Sequence, residues 1–464
     1  MKHVFANVVV FAAMSAFAST PSVEVTGVAQ DAVSGLVTVT YTLANAPAIV
    51  TAEILSAGEM LPSGTMGAMS GDVHKLVSES GTHRFTWRPD RDTASLLSAS
   101  DLTFKVDAWT TDAPPDYMVV GLAETGLTYY YSTTNAFPGG LLANPAYRTD
   151  MLVLRHIEAK GKTFKMGAWD TVNNRSLENG AQSSEPQYDA TLTNDFWIGV
   201  FEITQAQGEI INGTSSGSDW KSGFSNFLYR AMRPMEMVSH NTARDQNNTA
   251  NFYPRAPHSS SYIGKLRTMT GLAFDLPHDA QWEYACRAGN GAGLWGNGEA
   301  MLPAGTASFN TYESTSNVNV PGRWALNGGM KTYNGQSNTT NWDNLMDLDP
   351  DYGSAICGSY PPNAWGLYDM HGNVFELVVD FSPSSASTWV SLAGRPNISL
   401  DDPTKQADGS DPTHPSWTTV QNRGLRGGAW QRGAGQVRSA YRNSQVASGV
   451  YATVGFRVVI NIEP

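Results

Sequence analysis

Apolar and polar positions alternate with period two along the first quarter of the chain. Val37, Val39, Tyr41 and Leu43 interleave with Thr38, Thr40 and Thr42, and Phe85 and Trp87 flank Thr86. Leu102, Phe104, Val106 and Ala108 alternate with Thr103, Lys105 and Asp107. Successive side chains of a strand point to opposite faces, so this alternation predicts half-buried antiparallel strands. Several such strands with turn signals between them predict an all-β sandwich domain over residues 19–112. A Pro-rich break, TTDAPP from Thr110, ends it. Residues 113–146, with Tyr129-Tyr130-Tyr131 and the turn Pro138-Gly139-Gly140, read as a linker that packs against a neighbour.

From about Tyr147 the pattern loses its regularity. Gly, Asn, Ser and Trp dominate and strands become short. One helix is clear: Asp279 to Arg287 follows Leu276-Pro277, with His278 or Asp279 to start it and Gly289 to end it. A second helix is predicted near residues 241–249. Long irregular connections such as 289–358 carry function or bind ions when they occur inside a compact domain. The second domain is placed at 147–464.

The first 18 residues are an address rather than part of the fold. Lys2 precedes an apolar run from Val4 to Ala13, and Ala16-Phe17-Ala18 is a small-x-small cleavage signal. This predicts a cleaved signal peptide and a secreted, periplasmic or extracellular protein. The apolar run is too short to span a bilayer, and no later stretch predicts a membrane span.

Composition narrows the chemistry. The net charge is −12, with 42 acidic and 30 basic side chains, which excludes an ordinary nucleic-acid binder. Aromatic residues, 10% of the chain and spread along it, exclude uniform disorder. Two cysteines are too few for a disulfide scaffold, a four-cysteine zinc site or an iron–sulfur cluster. The nine histidines form no His-x-His or His-x-x-x-His pair. His240, His278 and His371 read as hydrogen-bonded structural histidines.

An ordered series of motifs fills the second domain. Phe164-Lys165-Met166-Gly167 opens it, then Phe196-Trp197-Ile198-Gly199 and Phe201-Glu202-Ile203-Thr204-Gln205. Arg233-Pro234-Met235-Glu236-Met237-Val238-Ser239 and Leu276-Pro277-His278-Asp279-Ala280-Gln281-Trp282-Glu283-Tyr284 follow. Then come Pro361-Pro362-Asn363-Ala364-Trp365-Gly366-Leu367-Tyr368-Asp369-Met370-His371-Gly372-Asn373-Val374-Phe375-Glu376, Leu425-Arg426-Gly427-Gly428-Ala429-Trp430, Arg438-Ser439-Ala440-Tyr441-Arg442 and Gly455-Phe456-Arg457. In this order the motifs resemble the formylglycine-generating enzyme family, or sulfatase-modifying factor domains, from Met151 to Ile462. The resemblance implies an α+β, loop-rich, C-type-lectin-like formylglycine-generating-enzyme fold behind the all-β sandwich. Active members of the family oxidise a substrate cysteine to formylglycine.

The family's oxidase chemistry holds Cu(I) on two thiolates, because soft sulfur suits soft copper. Those cysteines follow the Arg-Gly-Gly-Ser motif. Here residues 426–438 contain no cysteine and Ala429 replaces the serine, which argues against copper. Cys286 and Cys357 read as small buried residues.

Calcium is the expected cofactor, in a structural role. Asp347, Asp349 and Asp351 stand at alternate positions before Gly353, and such carboxylates converge on a hard cation. The resemblance implies one site from Asn310, Thr311, Asp349 and Asp351, and a second from Asp369, Gly372, Val374 and Glu376.

Two functions remain. One is a secreted, non-copper binding or scaffold module, with Trp430, Gln431, Arg432, Arg438 and Tyr441 facing an unknown protein, peptide or carbohydrate ligand by stacking and bidentate hydrogen bonds. The other is an oxidoreductase of the formylglycine-generating type with an altered site.

Overall fold

The computed structural model describes residues 20–61, 67–89, 102–123, 126–170, 175–176, 185, 187–213, 230–245, 256–289, 322–324, 353–381 and 422–462. The signal-peptide segment therefore lies outside the described residues, as do Asn310, Thr311, Asp347, Asp349 and Asp351. The chain divides into two compact units, with the boundary between Pro114 and Pro115.

Every element described in the first unit is a strand: β1 (Ser22–Gln30), β2 (Val37–Ala44), β3 (Ala48–Ser56), β4 (Glu59–Met60), β5 (Met69–Gly71), β6 (Lys75–Val77), β7 (Gly81–Trp87) and β8 (Leu102–Trp109). One antiparallel sheet has the order β1-β2-β7-β5. In the other, β3 pairs with β4, β6 and β8. Along β2, Val37, Val39, Tyr41 and Leu43 are buried and the threonines between them are not, as period two requires. The rings of Phe85 and Trp87 on β7 meet Phe104 on β8 edge-on at 6.3 and 6.0 Å.

Among its described residues the second unit is sheet-rich and loop-rich with few, short helices. Its strands are β9 (Tyr117–Gly121), β10 (Thr128–Tyr131), β11 (Met151–Ile157), β12 (Thr163–Met166), β13 (Trp169–Asp170), β14 (Arg175–Ser176), β15 (Tyr188–Thr191), β16 (Phe196–Gly199), β17 (Phe274–Asp275), β18 (Phe375–Phe381), β19 (Asn422–Arg426), β20 (Asn443–Val446), β21 (Val454–Gly455) and β22 (Val459–Asn461). Its α-helices are α1 (Ala146–Thr149), α2 (Gln205–Asn212), α3 (Tyr262–Thr270) and α4 (Asp279–Cys286). A six-stranded sheet runs β10-β9-β11-β16-β22-β17, and a four-stranded sheet runs β20-β19-β18-β21.

The expected linker is corrected here. Residues 117–131 form β9 and β10, which extend the sheet beside β11. All five residues of β9 are buried, so the strand reads as a continuous apolar run without the alternation that marks a half-exposed strand.

The helices begin where side chains can satisfy free backbone N–H groups. The Thr204 hydroxyl accepts from Gln207 N, and the Gln207 side chain accepts from Thr204 N, a reciprocal cap at the start of α2. Ser261 caps α3 one-sidedly, accepting from Gly264 N, and Gly213 and Gly271 end their helices in the left-handed conformation. The predicted helix at 279–287 is α4, and all eight of its residues are buried. The expected helix at 241–249 is a single wide turn over Asn241–Asp245 as far as it is described. Trp282, Tyr284 and Phe456 are core anchors, while Trp365 is half-buried.

A candidate metal centre of buried carboxylates

Glu202 lies two residues before the Thr204 cap, so the start of α2 fixes its backbone. The side chain is fully buried. Its Oε1 accepts from Val374 N at 3.2 Å and its Oε2 from Asn373 Nδ2 at 2.6 Å. Asn373 in turn accepts from Ala355 N at 2.8 Å and adopts a positive φ of 60°. These bonds tie the 369–376 loop to the 353–358 turn.

Asp369 also has a positive φ, 58°, which turns its side chain inward. Its Oδ2 accepts from Gly358 N at 2.7 Å, and its buried Oδ1 has no hydrogen-bond partner. Cys357 places its sulfur 3.6 Å from Glu202 Oε2. One oxygen each from Glu202 and Asp369 and the Cys357 sulfur all lie within 4.8 Å of one another. Behind them Glu376 accepts from Arg457 through both oxygens at 2.6 Å, and from Trp282 Nε1 at 2.7 Å.

Charge here is out of balance. Burial raises the Glu202 carboxyl well above the carboxylate range, and the charges of Asp369 and Glu376 add to this against Arg457. Asp369 is pushed up to about 6 by burial, in spite of the Gly358 N–H and Arg457. Burial raises the Cys357 thiol too, and Glu202 and Asp369 reinforce it. Three carboxylates share Arg457 and the more distant Arg148, whose guanidinium donates to the Cys357 carbonyl at 2.9 Å. Fully ionised, three anions against two cations would leave one excess negative charge in a dry interior, so without a cation the raised Glu202 carboxyl keeps its proton. A divalent cation fits this donor set: it would take up the unpartnered Asp369 oxygen and the excess charge together.

The residues expected from sequence fall into three groups. Asp369, Gly372, Val374 and Glu376 come together in one loop and the strand it enters. Glu376, however, has both oxygens on Arg457, and Glu202 is the carboxylate that faces Asp369. Sequence reasoning missed Glu202 and Cys357 as members of this group. The only signal was that Glu202 interrupts an otherwise apolar, buried run from Phe196 to Ile203.

The five residues expected to face a ligand separate differently. Arg438 is fully buried in a two-pronged pair with Glu185 at 2.7 and 2.8 Å. Trp430 is buried and donates to the Ala452 carbonyl at 3.3 Å. Tyr441 is buried, with its hydroxyl accepting from Gln436 at 2.9 Å. These three are corrected from ligand contacts to parts of the interior. Gln431 and Arg432 are half-buried, and the Arg432 guanidinium lies 5.6 Å from the centre of the Phe375 ring. Gly427 and Gly428 hold φ of 85° and 77°, and a side-chain carbon on Gly428 would strike the Gln436 carbonyl and Val437.

Both cysteines are free and occupy different surroundings. Cys286 lies 3.7 Å from His371 Nε2 and 3.8 Å from the Met370 carbonyl, and burial pushes its thiol up to about 12. The histidines expected to be structural are hydrogen-bonded: His371 to the Val437 carbonyl, His240 to Asp245 and His278 to Asp380. Among the described residues no helix is long and apolar enough to cross a membrane.

Comparisons with known proteins agree with the motif series. The description "Sulfatase-modifying factor enzyme 1-like domain" matches residues 154–462. The serine/threonine-protein kinase pkn1 of Chlamydia pneumoniae is 36% identical over 104 residues, 22% of this chain and 14% of that protein. Formylglycine-generating enzyme of Mus musculus is 20% identical over 221 residues, 43% of this chain and 53% of the enzyme. The chain thus spans about half or less of the length of these relatives. Among solved structures, PvdO from Pseudomonas aeruginosa superposes with a TM-score of 0.41 at 22% identity, over 67% of this chain and 94% of that one. The match over two thirds of its length places this chain in the sulfatase-modifying factor family.

Proposed function

We propose that this chain is a secreted, non-copper member of its family, a ligand-binding or scaffold module whose loops are pinned by structural calcium. The observation that carries the calcium reading is the buried carboxylate excess around Asp369, with one oxygen unpartnered. Calcium would be held by Asp369 and Glu202, with carbonyls of Gly372 and Val374 from the family site and Glu376 behind. It would supply no redox chemistry; it would neutralise charge and fix loops that have few ladder hydrogen bonds of their own. The family's other site, from Asn310, Thr311, Asp349 and Asp351, belongs to the same reading.

Binding rather than oxidation is supported by the thiols. None lies in the segment 426–438, where the copper pair belongs. Cys286 stays protonated at neutral pH because burial disfavours its thiolate. Gln431 and Arg432 are the parts of the expected binding face that a peptide or carbohydrate could reach. The N-terminal β-sandwich would serve as a spacer or docking domain, as appended all-β domains do.

The alternative is an oxidoreductase with an altered site, and family membership is what favours it. One experiment separates the two. The mature chain is incubated with a sulfatase-type cysteine peptide, oxygen, and copper or iron, and the peptide is followed by mass spectrometry. The expected result is unchanged peptide and near-stoichiometric calcium in the protein; conversion of the cysteine to formylglycine would overturn the proposal.

A further inference from the structure

The Asp369 centre contains a donor that calcium does not use. Calcium takes six to eight oxygens, and sulfur is too soft a ligand for it. Yet the Cys357 sulfur sits 3.6 Å from Glu202 Oε2, inside the same 4.8 Å cluster as Asp369. On a tetrahedral zinc with bonds of about 2.0–2.3 Å, neighbouring ligand atoms stand roughly 3.4–3.6 Å apart. In the protein alone this contact is a hydrogen bond from the thiol to the carboxylate, and its length also matches the spacing of two ligands on one zinc. Asp369 supplies the third donor of the cluster, and its buried Oδ1 has no hydrogen-bond partner among the protein groups.

We propose that Cys357, Glu202 and Asp369 form a mixed thiolate–carboxylate site that takes a thiophilic divalent cation, zinc or cadmium, and that such an ion displaces calcium there. This rests on the reading that the buried carboxylates form a cation centre, and it adds the sulfur and the metal class. Calcium uses the oxygens and leaves Cys357 as a thiol. A thiophilic ion forms a metal–sulfur bond, and the thiol proton and the proton on the Glu202 carboxyl depart to solvent. No electron is transferred. The three anionic donors then face one dication, with Arg148 held on the Cys357 carbonyl beside them.

The test uses the full mature chain stripped with EDTA and titrated with cadmium, with the thiolate-to-cadmium charge-transfer absorbance as readout. The expected result is a band that saturates near one equivalent, shrinks on adding excess calcium, persists in Cys286→Ser and disappears in Cys357→Ser. Cadmium affinity of Cys357→Ser should fall by about tenfold or more, since even outer-shell changes cost that much. The wild-type titration needs no variant, so a misfolded Cys357→Ser does not leave the question open. Cadmium binding with no thiolate band, or a band retained in Cys357→Ser, would overturn the sulfur ligand and leave the cation centre standing. If neither calcium nor cadmium binds the stripped chain, both readings fall.

Discussion

Two buried clusters of charge in the second unit solve the same problem in opposite ways. Around Glu283, acids are outnumbered. Glu283 pairs with Arg287 at 2.9 Å and with Arg426, while Asp279 pairs with Arg426 at 2.8 Å and Arg442 at 3.1 Å. The Gly167 N–H adds a further bond at 2.7 Å. Two acids and three arginines make a cage whose surplus is positive, so each carboxylate has its counter-charge at hand. Around Asp369 the count is reversed, three acids to two arginines, and an oxygen is left over. The pKa directions record the difference. Burial alone would raise Glu283, but Arg426, Arg287 and Arg442 outweigh it and hold the carboxyl down at about 2. Asp369, equally buried, is raised. Burial alone therefore does not decide whether an acid is charged; arginine can outweigh it, and a buried acid with too little arginine is raised toward its protonated form.

The comparison breaks most visibly at the cage. Glu283→Gln leaves three buried guanidiniums short of a counter-charge and should cost about 3–5 kcal/mol in denaturant unfolding. A loss below 1 kcal/mol would mean the cage is not a unit.

Acid separates the clusters by sign. The folded pKa of Glu283 lies below its unfolded value, so its stabilisation is present above about 4.5 and is lost as pH falls toward about 2, roughly 3 kcal/mol in all. Asp369 without a cation is the reverse: its folded pKa is raised, so its contribution falls as pH rises from about 3.8 to about 6. Thermal melts in EDTA across this range, with Asp369→Asn as reference, should show the wild type losing stability relative to the variant over that interval. Parallel curves would remove the case for an unneutralised Asp369.

Cation dependence should belong to one cluster only. At calcium a hundredfold above its Kd, the stabilisation should be about 2.7 kcal/mol, and EDTA should abolish it. Glu283→Gln should retain the same increment on its lower baseline. A chelator effect that vanishes in Glu283→Gln would tie the two clusters together.

The smallest effect is expected at the surface. Arg432→Ala and Gln431→Ala should change stability by about 0.5 kcal/mol or less, as half-exposed substitutions do, while any ligand affinity should fall. A large stability loss would reassign these residues to the core.

Local signals in the sequence were enough to find α4, because Leu276-Pro277 and Gly289 bracket it, and β2, β7 and β8 of the first unit, because buried positions alternate with exposed or half-exposed ones along them. Burial on both faces hid β9. The buried carboxylate cluster was half legible: Asp369 and Glu376 lie in one motif, but Glu202 meets Asn373 across 171 positions and Cys357 across 155. Arg438 was misleading for the same reason, since Glu185, which takes up its charge, lies 253 positions away. A charged residue in a motif announces itself; the partner that neutralises it does not.

The central claim is that the Asp369 cluster needs an external cation. Calorimetric titration of calcium into the EDTA-stripped chain, beside Asp369→Asn, tests it most directly. The account predicts saturable binding that raises the melting temperature of the wild type, together with a variant that melts higher than the wild type in EDTA and gains less from calcium. Identical calcium responses in the two proteins, or no calcium response in either, would contradict it.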